Sequence, residues 1–161
     1  MISEIEIFQQ TAQMLDQLGF TIAKQDLARP WGGFYVIKES QAQKFADHFF
    51  PEELISPDQK ISPKILMVAP HKRLSWQYHY RRAEIWKCLG ENICVITSDT
   101  DIEKNKYILN KDDIIHLKQG ERHRLVGLDN WGIIAEIWQH TDSNSPSDEE
   151  DIVRLQDDFG R

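Results

Sequence analysis

The sequence predicts an all-β protein, a sandwich or barrel preceded by one helix, and three observations carry that expectation. Short apolar or alternating runs recur from Phe34 onward: FYVIK, KILMVA, LSWQYHY, EIWKCL, ICVIT, KYIL, DIIHL, HRLVGL and GIIAEIW. Turn-forming residues separate them at intervals of roughly 8–12 residues, the rhythm of stacked short strands. A spacing of three and four marks residues 3–18 instead, where Ile5, Phe8, Ala12, Leu15 and Leu18 form one stripe, Ser3 suits an N-cap and Gly19 follows the end.

Taken in order, residues 1–20 are an amphipathic helix whose stripe packs on the domain or on a partner subunit. Its polar face is acidic and glutamine-rich, which argues against a membrane surface. Residues 39–62 (ESQAQKFADHFFPEELISPDQKIS) interrupt the strands with two prolines and one helical turn, and are expected to form a loop or lid over one end of the barrel. Residues 141–161 form a C-terminal arm that begins with the polar, acidic stretch TDSNSPSDEED. At 161 residues the chain suits one domain, 1–161, with one core and one functional centre.

With 19 Lys+Arg against 26 Asp+Glu the net charge is −7, which argues against a nucleic-acid binder, since phosphate contacts need clustered cations. A few converging cations would still admit a small anionic substrate. No apolar run approaches the roughly 20 residues that cross a bilayer, and MISEIEIFQQ lacks a basic-then-apolar leader pattern. A soluble, cytoplasmic protein is expected. Cys88 and Cys94 flank a turn at Gly90-Glu91-Asn92 and read as reduced, half-buried residues rather than a disulfide or metal motif.

The chemistry concentrates in one ordered set. Alternation along LSWQYHY turns Gln77 and His79 to the same face, taken as the barrel interior. Glu84 follows five residues after His79, and His123 stands 39 residues beyond Glu84, after a turn at Gly120. Four nitrogen and oxygen ligands from three strands suit one divalent ion such as zinc, manganese, iron, cobalt or nickel. Taken singly, a strand histidine is more often structural than a ligand; the order Q-x-H-x4-E with a later histidine shifts that balance. His48, His71, His116 and His140 have no such partners and read as structural or surface groups.

These four residues resemble the two motifs of the cupins, a double-stranded β-helix or jelly-roll barrel. RPWGGFYV at 29–36, LSWQYHYRRAEIW at 74–86, GERHRL at 120–125 and EEDIVRLQDDFGR at 149–161 resemble, in that order, the type II mannose-6-phosphate isomerase domain. The resemblance covers about residues 29–38 and 63–161. It implies a cupin barrel in which Gln77, His79, Glu84 and His123 hold the metal, zinc first among the candidates. Arg29, Arg154 and Arg161 are implied as substrate-binding arginines, which would grip a phosphate in bidentate fashion. A bland reading of Arg154 and Arg161, as solvated tail charges, competes with this.

The implied activity is that of a metal-dependent aldose–ketose isomerase of carbohydrate metabolism, acting on a phosphorylated sugar and converting mannose-6-phosphate to fructose-6-phosphate. Lys64, Glu136 and Arg154 are then the groups assigned to the chemistry, with Lys64 stabilising the developing oxyanion. Glu136 shares a strand face with Ile134 and Trp138 and is the candidate base, with an ordinary strand carboxylate as the equal alternative. A homodimer is expected, from the resemblance and from the stripe of residues 5–18 as a partner surface. Two departures stand out. Where the family reads Ala-Glu-His-Trp this chain has Ala83-Glu84-Ile85-Trp86, lacking a histidine able to shuttle protons. Lys118 replaces a proline, and Gly90 comes one place early. The alternative function is a non-catalytic sugar-phosphate-binding or regulatory cupin, which the change at position 85 favours.

Overall fold

A computed structural model describes residues 1–160. The first helix, α1 (Glu4–Gln17), begins where expected: the Ser3 side chain accepts from the Glu6 backbone N–H at 3.2 Å, and Gly19 takes the left-handed conformation just past the end. Its buried face is Ile7, Phe8, Thr11 and Leu15. Ile5, expected in the stripe, is 68% exposed. A 3.6-residue period carries Ile7 rather than Ile5 onto the face that Phe8 and Leu15 define.

Eleven strands are described: β1 (Ile22–Arg29), β2 (Gly32–Ile37), β3 (Ile61–Val68), β4 (Trp76–Tyr78), β5 (Arg82–Cys88), β6 (Asn92–Ser98), β7 (Asn105–Asn110), β8 (Ile114–Leu117), β9 (Arg122–Val126), β10 (Gly132–His140) and β11 (Val153–Gln156). Among the described residues they form two antiparallel sheets, one ordered β1-β2-β3-β10-β5-β8 and the other β11-β4-β9-β6-β7. The β1–β2 turn depends on Gly32, whose positive φ sets it against β3; a Cβ there would run into the Met67 carbonyl. The expected strands all occur. The chain adds β1 and β11, whose polar sequences and half-exposed positions at sheet edges carry no strong apolar alternation.

Two apolar cores result, one on each face of the larger sheet. Trp31, Phe34, Leu66, Val68, Trp86, Ile93, Val95, Leu125 and Ile134 fill the space between the sheets. Phe8, Leu15, Phe20, Tyr35, Phe45, Phe49, Ile65, Ile85, Ala135 and Ile137 pack on the outer face. The second helix, α2 (Ala42–Phe49), belongs to that outer core through Phe45, Ala46 and Phe49. Residues 39–62 are thus not the lid expected, because the apolar face of the amphipathic segment is buried against the back of the sheet. The α1 face of Ile7, Phe8 and Leu15 likewise packs on its own sheet. Cys88 and Cys94 are free thiols and fully buried, not half-buried, and burial lifts the Cys88 thiol to about 11. Among the described residues, no helix is long and apolar enough to cross a membrane.

Candidate metal centre

Both sheets contribute to one end of the interior. From the smaller sheet, β4 supplies Gln77 and leads into His79, and β9 supplies His123, whose Cα faces that of Gln77 in the register. From the larger sheet, β5 turns Arg82, Glu84, Trp86 and Cys88 inward by strict alternation. On β10 the inward residues are Ile134, Glu136 and Trp138; Trp138 lies opposite Glu84, and Glu136 stands between Trp86 and Lys64. Ile85, between two inward residues, faces the helices instead and is buried in the outer core. The missing histidine therefore has no bearing on this site: a side chain at position 85 points away from it, and the weight that the change lent to a non-catalytic reading falls.

His79, Glu84 and His123 come together as a buried group whose ligand atoms lie within 4.8 Å of one another. His79 Nε2 is 3.3 Å from Glu84 Oε1, and His123 Nε2 is 3.7 Å from Glu84 Oε2. The outer ring nitrogens are held by backbone carbonyls, His79 Nδ1 donating to Asp151 O at 2.6 Å and His123 Nδ1 to Glu121 O at 2.9 Å. A carbonyl accepts only, so each Nδ1 carries its proton and each Nε2 keeps a lone pair aimed inward, the tautomer of a metal-ligating histidine; that of His123 is free, and that of His79 accepts from Arg82, which a metal would displace. Glu84 Oε2 and His123 Nε2 are buried without a hydrogen-bond partner. Ligands about 2.0–2.2 Å from one ion stand roughly 3–4 Å apart, so this spacing fits a metal.

Charge favours the same assignment. Burial drives His79 down to about 4, further helped by His123 and Arg82 against the pull of Glu84, and burial lowers His123 as well. Both imidazoles are thus neutral near pH 7. Burial alone would raise Glu84, but the charge of the Arg82 guanidinium and its hydrogen bond outweigh it and keep the carboxylate ionised. Gln77 is placed less simply. Its Nε2, 3.4 Å from His79 Nε2, faces the histidines while its oxygen accepts from Ser75 Oγ, so it joins a metal's ligands only after its amide rotates.

A cavity adjoins this group, lined by Glu84, Gln77, Lys64, Glu136, Arg29 and Arg154 among others. Lys64 Nζ pairs with Glu149 Oε1 at 2.9 Å and lies over the Phe34 and Trp138 rings. Burial would raise Glu149, yet Lys64 holds it below its ordinary value. Glu136 accepts the Trp86 indole N–H at 2.7 Å and that of Trp138 at 2.8 Å, and burial with the Glu84 charge raises it to about 8. Arg29 has a buried Nε that makes no hydrogen bond. Arg154 reaches the cavity because β11 folds back and pairs with β4, Arg154 opposite Gln77. Arg161 lies outside the described residues. His140, read as structural, is buried between Ser62 Oγ and the Ser147 N–H.

Sequence reasoning missed Arg82. Its Nε donates to Glu84 Oε1 at 2.8 Å, one terminal nitrogen to His79 Nε2 at 3.1 Å, and the guanidinium carbon sits 3.6 Å from the centroid of the Trp138 ring. Two positions before Glu84 on the same strand, it shares the inward face, and the alternation that placed Glu84 would have found it.

Comparison with known proteins bears on the family and the fold. A mannose-1-phosphate guanylyltransferase of Salmonella montevideo is 27% identical over 140 residues, 87% of this chain and 24% of its own length. Another of Sinorhizobium fredii is 26% identical over 132 residues, 82% of this chain and 21% of its own. The chain thus spans about a fifth to a quarter of these curated relatives. Two cupin-like vicilins share the fold: that of hazelnut (Corylus avellana) with a TM-score of 0.58 at 13% identity over 84% of this chain and 36% of the vicilin, and that of tomato (Solanum lycopersicum) with 0.57 at 16% over 84% and 35%. The family model described as mannose-6-phosphate isomerase C-terminal matches residues 20–157, most of the chain, and the protein accordingly belongs to that family, with a barrel of the cupin type.

Proposed function

We propose that the protein is a metal-dependent aldose–ketose isomerase that interconverts mannose-6-phosphate and fructose-6-phosphate. The family and the names of its relatives point to sugar-phosphate metabolism. The observation that carries the finer reading is that Glu84 belongs both to the His79–Glu84–His123 group and to the wall of a cavity holding Lys64, Glu136, Arg29 and Arg154. A divalent ion, zinc by its donor set or else manganese, iron, cobalt or nickel, would be held by His79, Glu84 and His123, with Gln77 on rotation of its amide, and would supply Lewis acidity toward a sugar oxygen.

The chain's own groups do the rest. Arg29 and Arg154 present guanidinium forks suited to a phosphate, a role the resemblance also gives Arg161. Glu136, with its carboxyl at about 8, is poised to take and return a proton near neutral pH. In the aldose-to-ketose direction it removes the C2 proton of the open-chain sugar, and the electron pair forms the C1–C2 double bond as O1 gains a proton. The abstracted proton then returns to C1 while O2 loses its own and becomes the ketone oxygen. Lys64 offsets the negative charge that develops on oxygen.

The test is conversion of mannose-6-phosphate by the purified chain, with chelator and with Glu84→Ala as controls. Turnover that disappears in both supports the isomerase. Binding of the sugar phosphate without turnover above the Glu84→Ala control overturns it in favour of a non-catalytic sugar-phosphate-binding module.

A further inference from the structure

We infer that the C-terminal arm is a working part of the metal centre: Asp151 positions His79, so that metal affinity and arm docking are linked. Asp151 is buried, and its backbone oxygen accepts His79 Nδ1–H across a separation of 72 residues in sequence. Its carboxylate fixes that carbonyl from the other side, accepting the Tyr80 N–H at 2.9 Å, the Arg81 N–H at 3.0 Å and Ser147 Oγ at 2.6 Å. Asp151 thereby staples the arm to the loop that carries His79. A second tie runs through Arg82, which donates to Ser147 Oγ at 2.9 Å and the Asp148 carbonyl at 3.1 Å while its Nε holds Glu84. Two of the three ligand side chains are thus oriented by residues 147–151.

With the arm displaced, His79 Nδ1 would face water, and the ring would be free to turn and change tautomer. Partners of this kind behind a metal ligand typically govern 10–100-fold in metal affinity. The arm itself is a light element: β11 has four residues at a sheet edge, with a register irregularity between Arg154 and Gln156. Linkage is reciprocal, so whatever factor the arm contributes to metal binding, metal contributes to arm docking. Because the same segment brings Glu149 and Arg154 to the cavity, loading the metal also assembles that wall. The inference holds whichever reaction the site performs.

The experiment titrates zinc or cobalt(II) into the metal-stripped protein against a chromophoric chelator, comparing wild type with Asp151→Ala and with Leu15→Ala. Leu15 is buried in α1 on the far face of the larger sheet, so its loss reports global destabilisation alone. Hydrogen exchange of residues 147–156 is followed with and without metal. Expected are a 10–100-fold weaker Kd for Asp151→Ala, a change under about threefold for Leu15→Ala, and slower arm exchange on adding metal to wild type but not to Asp151→Ala. Wild-type-like affinity in Asp151→Ala, equal losses in both variants, or arm exchange indifferent to metal would overturn it. Should Asp151→Ala not fold, Ser147→Ala removes one tie to Asp151 and one to Arg82; it is expected to weaken metal binding several-fold, and no change refutes the linkage.

Discussion

Replacing Glu136 by Gln should flatten the pH dependence of stability between pH 6.5 and 8. On β10 this buried carboxyl is lifted from 4.5 to about 8 by burial and then by the Glu84 charge, against the opposing pull of Lys64, Arg82 and the Trp86 indole. A folded-state value above the unfolded one means that the folded protein keeps a proton the unfolded chain releases. Its contribution is therefore full below about 4.5 and is lost progressively as pH rises to about 8. Burial lowers His79, His123 and His140, and they act in the opposite sense, contributing fully above about 6.5 and losing stability as pH falls. From 6.5 to 8 these histidines are level and Glu136 sets the slope. One and a half units at about 1.4 kcal/mol each gives a decline of ~2 kcal/mol, or about 4–8 °C in Tm for a chain of this size. Urea melts of chelator-treated protein at several pH values across this window would show that decline in wild type and not in Glu136→Gln. The variant's amide leaves one indole N–H facing another donor, a fixed loss of about 1–3 kcal/mol that shifts its curve without tilting it. Parallel curves for the two proteins would refute the assignment.

Two further substitutions test the site from its edges. Ile85→His should destabilise by about 2–3 kcal/mol, through an imidazole buried without a partner in the outer core, and should leave the isomerase rate of the folded protein unchanged; denaturation midpoints with the coupled assay check both, and a gain in turnover would contradict the outward orientation of position 85. Glu149→Gln releases Lys64 from its ion pair, and because the Glu149 side chain is 49% exposed the pair is worth at most ~1 kcal/mol, so inorganic phosphate or the sugar phosphate should bind up to about fivefold tighter. Calorimetry showing weaker binding would mean that Glu149 supports the anion site rather than competing for it.

Much of the centre was legible because strand alternation is local. Gln77 and His79 share a face for the same steric reason that Glu136 shares one with Ile134 and Trp138, and the structure puts these side chains at the inner face. The same rule, carried one residue further, sends the neighbour of an inward Glu84 outward, so the irrelevance of position 85 and the inward aim of Arg82 were within reach. β1 and β11 were not, since edge strands half-covered by neighbours have no apolar pattern to read.

By itself the sequence determined the strand succession, the helix cap at Ser3, and the order of the histidines and the carboxylate, all of which rest on interactions within a few residues. Tertiary structure alone decided the destination of residues 39–62, since the local pattern of their helix suits a barrel mouth or a sheet back equally, and it packs on the sheet back. It also decided that Asp151 meets His79 and that Glu136 sits buried between two indoles beside Glu84. Those contacts join strands or segments tens of residues apart, and the Glu136 carboxyl at about 8 comes from burial and a neighbouring charge that exist only once the two sheets close over it.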